Sequence, residues 1–167
     1  VEDFIDRVKP RVICLNTSTP LSHDKIDAFA ACQAPRVATE SVHYGSLGAP
    51  LIAPAAEIDP EIRDALGDGQ LLDYGVCVTP NMFGVSPTAC EIPHQLVAAY
   101  ALAFSNAAGA KRILLAGFDG YEPGNPLQEN MEEVFRCYHH LANPAPIVAV
   151  TPTTYSIPQM SLFAPAT

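Results

Sequence analysis

A glycine-bracketed acid is the segment of this chain best suited to hold a ligand. Asp119 lies between Gly117 and Gly120, Tyr121 follows directly, and the apolar run 112–116 precedes them. If that run is a buried strand, the acid stands at its carboxyl end, where α/β sheets bind their ligands. There Asp119 can accept hydrogen bonds from sugar hydroxyls or hold a divalent ion. The alternative is that it caps the following turn.

A polar loop is a second candidate, suited to anions. The segment Asn16-Thr17-Ser18-Thr19 follows the apolar run 11–15, and its amides and hydroxyls could donate to a phosphate or carboxylate. The glycines of the dinucleotide-binding and Walker loops are missing, so an ordinary polar turn explains the segment equally well. In the binding interpretation Arg36 neutralises the anion while Asn16 and Ser18 donate to it.

The histidines and cysteines show no recognisable catalytic or metal-binding spacing, since neither HExxH nor CxxC occurs. His139 and His140 lie near the end of a predicted helix, where the helix dipole favours a cation, and an acid–base role is the alternative. The five cysteines are expected to be reduced, mostly buried thiols of a cytoplasmic protein. We expect no metal and no cofactor, and the catalytic residues remain unknown.

Composition limits the class of protein and of partner. The 167 residues, nearly half of them apolar, are enough for a single domain with a real core, which we place at 1–167. A formal net charge of −9 argues against nucleic acid or an anionic membrane as partner, but it allows a small anionic ligand. No run is long enough to span a bilayer and no signal peptide is visible. Because the chain opens with Val1, we expect it to be excised from a longer protein.

Apolar runs alternate with helical patterns along the chain. Strands are predicted at 11–15, 29–32, 51–53, 71–78, 112–116 and 147–150. Helices are predicted at 1–8, 23–28, 60–66, 92–108 and from Pro126 onward, the last with an Asn125 cap and a capping-box-like Gln128. Continuous apolar strands that alternate with helices indicate a parallel sheet covered on both faces. The predicted fold is a three-layer, Rossmann-like α/β domain with a mainly parallel sheet.

The segment Gly109–Tyr121, GAKRILLAGFDGY, resembles part of a group of Rossmann-like domains. The group includes bacterial lipo-oligosaccharide sialyltransferases and 6-hydroxymethylpterin diphosphokinase-like proteins, in which a helix, a Gly-Ala/Tyr-Lys turn and a strand ending in Gly-x-Asp recur. The strand ending at Asn16 and the segment 31–36 resemble nucleotide-contacting pieces of that group. The glycine-rich first loop and the histidine base of the sialyltransferases have no counterpart here.

From Arg11 through the tail at 155–162, the chain is similar to a C-terminal domain fused behind aldolases. These are HMG-CoA lyase-like enzymes of the 4-hydroxy-2-oxovalerate aldolase type. The resemblance implies a non-catalytic domain whose partner is an aldolase (lyase) domain in the same longer chain. The aldolase barrel and its metal-binding His-x-His are absent from these residues.

Three functions follow from these patterns. The first is an accessory domain that binds a nucleotide, a nucleotide sugar or a keto acid in a cleft built from Asn16, Ser18, Arg36, Gly117, Asp119 and Tyr121. The second is a sialyltransferase-like glycosyltransferase with a CMP-type donor, in which His139, His140 or another group is the base. The third is a dimerisation module, in which the alanine-rich helix at 92–108 packs against a second copy of the chain.

Overall fold

Four short strands form a parallel sheet in the order in which they occur along the chain. The computed structural model describes residues 1–17, 19–66 and 70–163. The strands of this first sheet are β1 (Ile13–Leu15), β2 (Ala28–Ala30), β3 (Leu51–Ala53) and β4 (Leu71–Asp73). Each crossover between them returns the chain to the same edge, so the loops after β1, β2 and β3 share the carboxyl side of the sheet.

Two smaller sheets complete the strands of the described residues. The first contains β5 (Gly75–Val78), β6 (Gly84–Val85) and β7 (Ala89–Ile92), with β7 parallel to β5 and antiparallel to β6. The second pairs β8 (Ile113–Leu115) in parallel with β9 (Ile147–Ala149). Because parallel pairs predominate, the predicted mainly parallel α/β architecture is confirmed.

The central strands are buried on both faces, which explains why they read as continuous apolar runs. Phe29 and Leu51 belong to one core cluster, whereas Ala30 and Ile52, their immediate neighbours in sequence, belong to the other. Successive side chains of a strand point to opposite faces, so the two clusters lie on opposite sides of the sheet.

Helices cover both sides, as in a Rossmann-like layered fold. The α-helices of the described residues are α1 (Glu2–Val8), α2 (Ala34–Ser46), α3 (Pro60–Leu66), α4 (Val97–Ala107) and α5 (Pro126–His139). Helices α2 and α3 pack against each other and contribute to the cluster that contains Phe29. Helices α4 and α5 contribute to the cluster that contains Ile52.

The two predicted helix starts at an acid or amide followed by proline are confirmed. The Asp59 carboxylate accepts from the Glu61 amide at 2.9 Å, and the Asn125 side chain accepts from the Leu127 amide at 3.0 Å. The predicted capping box at Gln128 is wrong, because its side-chain oxygen accepts from the Tyr121 amide at 2.9 Å. Gln128 therefore fixes the preceding loop rather than the end of its own helix.

The long helix predicted at 92–108 begins five residues later than expected. Ile92 ends strand β7, and the loop 93–96 separates it from α4. Pro93 cannot donate a backbone hydrogen bond and restricts the residue before it to an extended conformation, which favours the strand. At the other end, Gly109 has a φ of 77° just after the helix, as expected for a residue that terminates it.

The predicted single strand 71–78 is two strands that belong to different sheets. Tyr74 separates β4 from β5, and its amide still donates to Ala53 of the first sheet at 3.2 Å. A helix at 34–46 and the strands β6 and β7 escaped prediction. The stretch 23–28 contains only a 3-10 turn at His23–Lys25, followed by the first residue of β2.

Within the described ranges, no helix combines the length and the apolar character that crossing a membrane requires.

We predict that one thiol of the native protein reacts far faster than the others. Cys77 is exposed, whereas Cys14, Cys32, Cys90 and Cys137 are buried. Burial raises the pKa of the Cys32 and Cys90 thiols to about 12, so these groups are both protonated and shielded at neutral pH. Titration with a chromogenic disulfide should give one rapid equivalent, which Cys77→Ser removes and Cys137→Ser retains. Rapid reaction of the Cys77→Ser variant would contradict this assignment.

Candidate functional site

A polar cluster centred on Glu40 joins the loop after β1 to helix α2. Asn16 adopts a left-handed conformation, with a φ of 56°, and its amide donates to Ala30 of β2 at 2.9 Å. The chain therefore turns sharply at the end of β1, which brings the Thr17 hydroxyl to 3.1 Å from Glu40 Oε2. Ser18, the neighbouring predicted site residue, lies outside the described residues.

Glu40 also orients Arg36. Arg36 Nε lies 3.1 Å from Glu40 Oε1, one helical turn away on α2, and the Arg36 side chain is 44% exposed. Among the described residues, the two terminal nitrogens of the guanidinium have no hydrogen-bond or ion-pair partner. A guanidinium held through Nε presents these two nitrogens as a fork that matches a carboxylate or a phosphate.

A buried hydroxyl without a partner lies next to the same cluster. Tyr44 follows Glu40 by one turn of α2 and is 2% exposed, and its hydroxyl has no hydrogen-bond partner in the described part of the chain. Burial raises the pKa of Tyr44, and the nearby Glu40 carboxylate adds to that effect. The Tyr44 ring packs in the core cluster that contains Phe29, and its hydroxyl lies near the Glu40 carboxylate.

The predicted loop Gly117–Tyr121 is held in place through its backbone. The Gly117 amide donates to the Thr151 hydroxyl at 2.9 Å, and the Asp119 carbonyl accepts from the Thr154 amide at 3.0 Å. The tail after β9 therefore lines this loop. Gly117 and Gly120 have φ values of 75° and 105°, a backbone conformation in which side chains other than glycine are strained.

This arrangement leaves the two predicted ligand-contacting side chains of the loop at the surface. Both Asp119 and Tyr121 are exposed, and the Asp119 carboxylate makes no hydrogen bond or ion pair to any described residue. No hydrogen bond of the described structure links this loop to the Glu40 cluster. Five of the six predicted residues belong to the described structure, and no hydrogen bond there joins Asn16 and Arg36 to Gly117, Asp119 and Tyr121.

A histidine–carboxylate pair that the sequence did not reveal lies beyond β7. His94 Nε2 is 2.8 Å from Glu133 Oε2, across 39 positions of the chain. The two side chains are 30% and 24% exposed. The hydrogen bond with His94 holds the pKa of Glu133 below its usual range, and the Asn81 backbone and Arg136 contribute to the same effect. An oriented, solvent-accessible imidazole of this kind is suited to acid–base chemistry.

Two glutamines fix the loop that carries His94. The Gln95 side chain donates to the Cys32 carbonyl at 2.8 Å, and the Gln33 side chain donates to the Gln95 carbonyl at 3.1 Å. These reciprocal bonds attach loop 93–96 to the carboxyl end of β2. His94 therefore stands on a fixed segment next to the first sheet.

His139 and His140, the acid–base candidates of the sequence, each contact a carbonyl of their own helix. Their Nδ1 atoms lie 2.7 Å from the Phe135 and Arg136 carbonyl oxygens, respectively. Both rings therefore provide hydrogen-bond partners for carbonyl groups in the last turns of α5. Neither contact involves a carboxylate.

Two concave surfaces of the described structure lie elsewhere. An open depression of about 460 Å³ is lined by residues that precede β8 and β9, which are Asn106, Gly109–Lys111 and Ala142–Pro146. A second, of about 510 Å³, is lined by residues of the tail, Val150–Pro152 and Gln159–Phe163. None of the predicted site residues lines either depression. No group of three metal-binding side chains occurs among the described residues.

Comparison with known proteins gives no relative for this chain. No protein-family model matches it, and no significant match occurs among curated proteins or solved structures. The class that the fold defines is a mainly parallel α/β protein with helices on both faces of its sheet.

We predict that Gly120→Ala destabilises the protein through the Asp119 loop. A Cβ at Gly120 would overlap the Thr154 hydroxyl in a backbone conformation that alanine rarely adopts. The free energy of unfolding in urea should fall by roughly 1–3 kcal/mol. Gly45→Ala, within α2, is the control. A Cβ at Gly45 would contact only the carbonyl oxygen of Ala65, a residue of α3, at 3.9 Å. That substitution should be neutral or stabilise by about 0.5–1 kcal/mol, and an equal loss in both variants would contradict the prediction.

A second prediction concerns acid unfolding. The pKa of Glu133 is lowered from 4.5 in the folded state, so its stabilisation is complete above pH 4.5 and is lost as the pH falls through the lowered pKa. Glu133→Gln should therefore lose stability at neutral pH but show a smaller further loss on acidification. Urea unfolding near pH 7 and pH 3.5 tests this. Glu129→Gln, on the exposed side of the same helix, should retain the acid dependence of the unmodified protein.

Proposed function

We propose that this chain is an accessory domain of a longer aldolase-type enzyme and that it binds a small carboxylic acid, such as a 2-keto acid, at the Glu40 cluster. The observation that carries the proposal is the orientation of Arg36, whose Nε faces Glu40 while its terminal nitrogens remain unpaired among the described residues. The association with an aldolase rests on the resemblance of residues 11–162 to the domain fused behind such enzymes.

Charge at the cluster favours a single carboxylate over a diphosphate. The carboxylate of Glu40 offsets the charge of Arg36, so little net positive charge remains for an anion. Of the other basic residues, Arg11, Lys111 and Arg112 come just before β1 and β8, at the amino ends of these strands, and none of the rest forms a hydrogen bond or ion pair with the Glu40 cluster in the described structure. A nucleotide sugar carries more negative charge than Arg36 can balance. A single carboxylate, in contrast, matches the two terminal nitrogens of one guanidinium.

The Thr17 hydroxyl supports a polar ligand at the same place, because it lies at the Glu40 carboxylate that orients Arg36. A 2-keto acid has both a carboxylate and a neighbouring carbonyl oxygen, and it therefore has acceptors for the guanidinium and for a hydroxyl. The glycosyltransferase and dimerisation alternatives remain predictions that no contact described above favours.

Binding of pyruvate, as the simplest 2-keto acid, should stabilise the protein through Arg36. At a hundredfold excess over its dissociation constant a ligand adds about 2.7 kcal/mol of stability, which corresponds to a rise in Tm of roughly 5–10 °C for a chain of this size. Thermal unfolding with pyruvate, acetate, CMP and a CMP-sugar measures the effect. Arg36→Gln should abolish the shift with pyruvate, while Arg63→Gln, at an exposed position on α3, should preserve it.

The remaining outcomes separate the two groups of predicted residues. Asp119→Ala should leave the shift with pyruvate unchanged, because the Asp119 loop has no hydrogen bond to the Glu40 cluster in the described structure. A shift with a cytidine nucleotide that Asp119→Ala abolishes would instead favour the glycosyltransferase. No shift with any of these compounds would overturn the binding proposal.

A further inference from the structure

The pair formed by His94 and Glu133 has the arrangement of a general base and the group that orients it. A neutral imidazole carries one proton, on either Nδ1 or Nε2. Since Nε2 lies 2.8 Å from a carboxylate oxygen, the tautomer that satisfies both partners has the proton on Nε2. The lone pair is then on Nδ1, for which the described residues provide no hydrogen-bond partner.

The surroundings of the pair distinguish it from a simple tether between two helices. The imidazole is 30% exposed, so a small molecule can reach it. Loop 93–96 is already fixed to β2 through Gln33 and Gln95, so the loop does not depend on Glu133 for its position. The carboxylate of Glu133 instead contacts the imidazole itself. Through this contact Glu133 fixes the tautomer of His94 and the orientation of its ring.

A cation flanks the pair. Arg136 Nη2 lies 3.8 Å from Glu133 Oε1, a loose contact, and the Arg136 side chain is 58% exposed. Glu133 contacts His94, and Arg136, on the same helix, contacts Glu133. An exposed guanidinium beside the carboxylate that orients the imidazole suits a molecule that carries both a hydroxyl and an acidic group.

We propose that His94 and Glu133 form a proton-transfer site in which His94 Nδ1 removes the proton from a hydroxyl group or a water molecule. Glu133 accepts the Nε2 hydrogen bond and stabilises the imidazolium that results. The expected substrates are small hydroxy acids or their esters, whose acidic group faces Arg136. This site shares no residue with the Glu40 cluster, so either assignment can fail while the other stands.

An activated ester reports this chemistry without knowledge of the natural substrate. With 4-nitrophenyl acetate, Nδ1 takes a proton from water while the water oxygen bonds to the ester carbonyl carbon. The resulting intermediate expels 4-nitrophenolate as the carbon–oxygen bond breaks, acetic acid forms, and the imidazolium returns its proton to solvent. Release of 4-nitrophenolate at neutral pH gives the rate.

We expect His94→Gln to lower the protein-dependent rate at least about tenfold, since an oriented general base typically contributes about 100-fold or more. Glu133→Gln should lower it less, because the imidazole remains but its tautomer is no longer fixed. His23→Gln, at an exposed position in the 3-10 turn, and Glu129→Gln, at an exposed position on α5, are the controls and should stay within about twofold of the unmodified protein, on the scale of general-base effects. An unchanged rate in His94→Gln would overturn the proposal.

A spectroscopic measurement on the unmodified protein decides the case if His94→Gln does not fold. Nitrogen-15 NMR of the imidazole ring distinguishes the protonated from the unprotonated nitrogen. At a pH where the ring is neutral, we expect Nε2 of His94 to be protonated and Nδ1 to be unprotonated, and Glu133→Gln should produce a mixture of tautomers. A proton fixed on Nδ1 would overturn the proposal, because the lone pair would then be on Nε2, at the Glu133 carboxylate.

Discussion

The rest of this structure depends on one alanine-rich helix, α4, which packs against two sheets and positions them relative to each other. Helix α4 packs against β1 and β2 of the first sheet and against β6 and β7 of the second. It carries no charged residue, and its alanines allow the strands to approach closely from more than one side. Tyr100 and Leu102 are fully buried there, and each such side chain contributes about 1.5–3 kcal/mol of hydrophobic stabilisation. The Tyr100 hydroxyl of α4 also donates to the Tyr74 carbonyl. The backbone at the junction between the two sheets therefore has a hydrogen-bond partner on α4.

The positions of the candidate sites follow from this packing. Loop 93–96 leads directly into α4, and its attachment to the carboxyl end of β2 places His94 beside α5, the helix that carries Glu133. The Glu40 cluster lies on α2, which packs on the opposite side of the first sheet. The two sets of candidate residues therefore lie on different helices. They approach each other at the start of α2, where Gln33 bonds to loop 93–96.

Local signals made much of the fold predictable, and distant contacts account for the rest. Asn125-Pro126 marks the start of α5 because the cap and the proline act within one turn. In the run 71–78, Asp73 and Gly75 are residues that are depleted in strands, but which sheet each half joins depends on pairing with β3 and β7. Likewise, a spacing of 39 residues does not predict a contact between His94 and Glu133. The contact depends on the packing of α5 beside loop 93–96. The role of Arg36 as an anion ligand stays a prediction from residue type, and its orientation by Glu40 depends on the helical spacing of α2.

The division at Tyr74 gives two adjacent amides that belong to different sheets. The Tyr74 amide donates to Ala53 of the first sheet, whereas the Gly75 amide donates to Thr88, at the start of the second. Exchange of an amide hydrogen with solvent requires its own hydrogen bond to open. Neighbouring positions in one short peptide therefore report the opening of two sheets separately. Equal exchange rates at the Tyr74 and Gly75 amides indicate that the two sheets open together. Unequal rates indicate that one sheet opens while the other stays packed against α4.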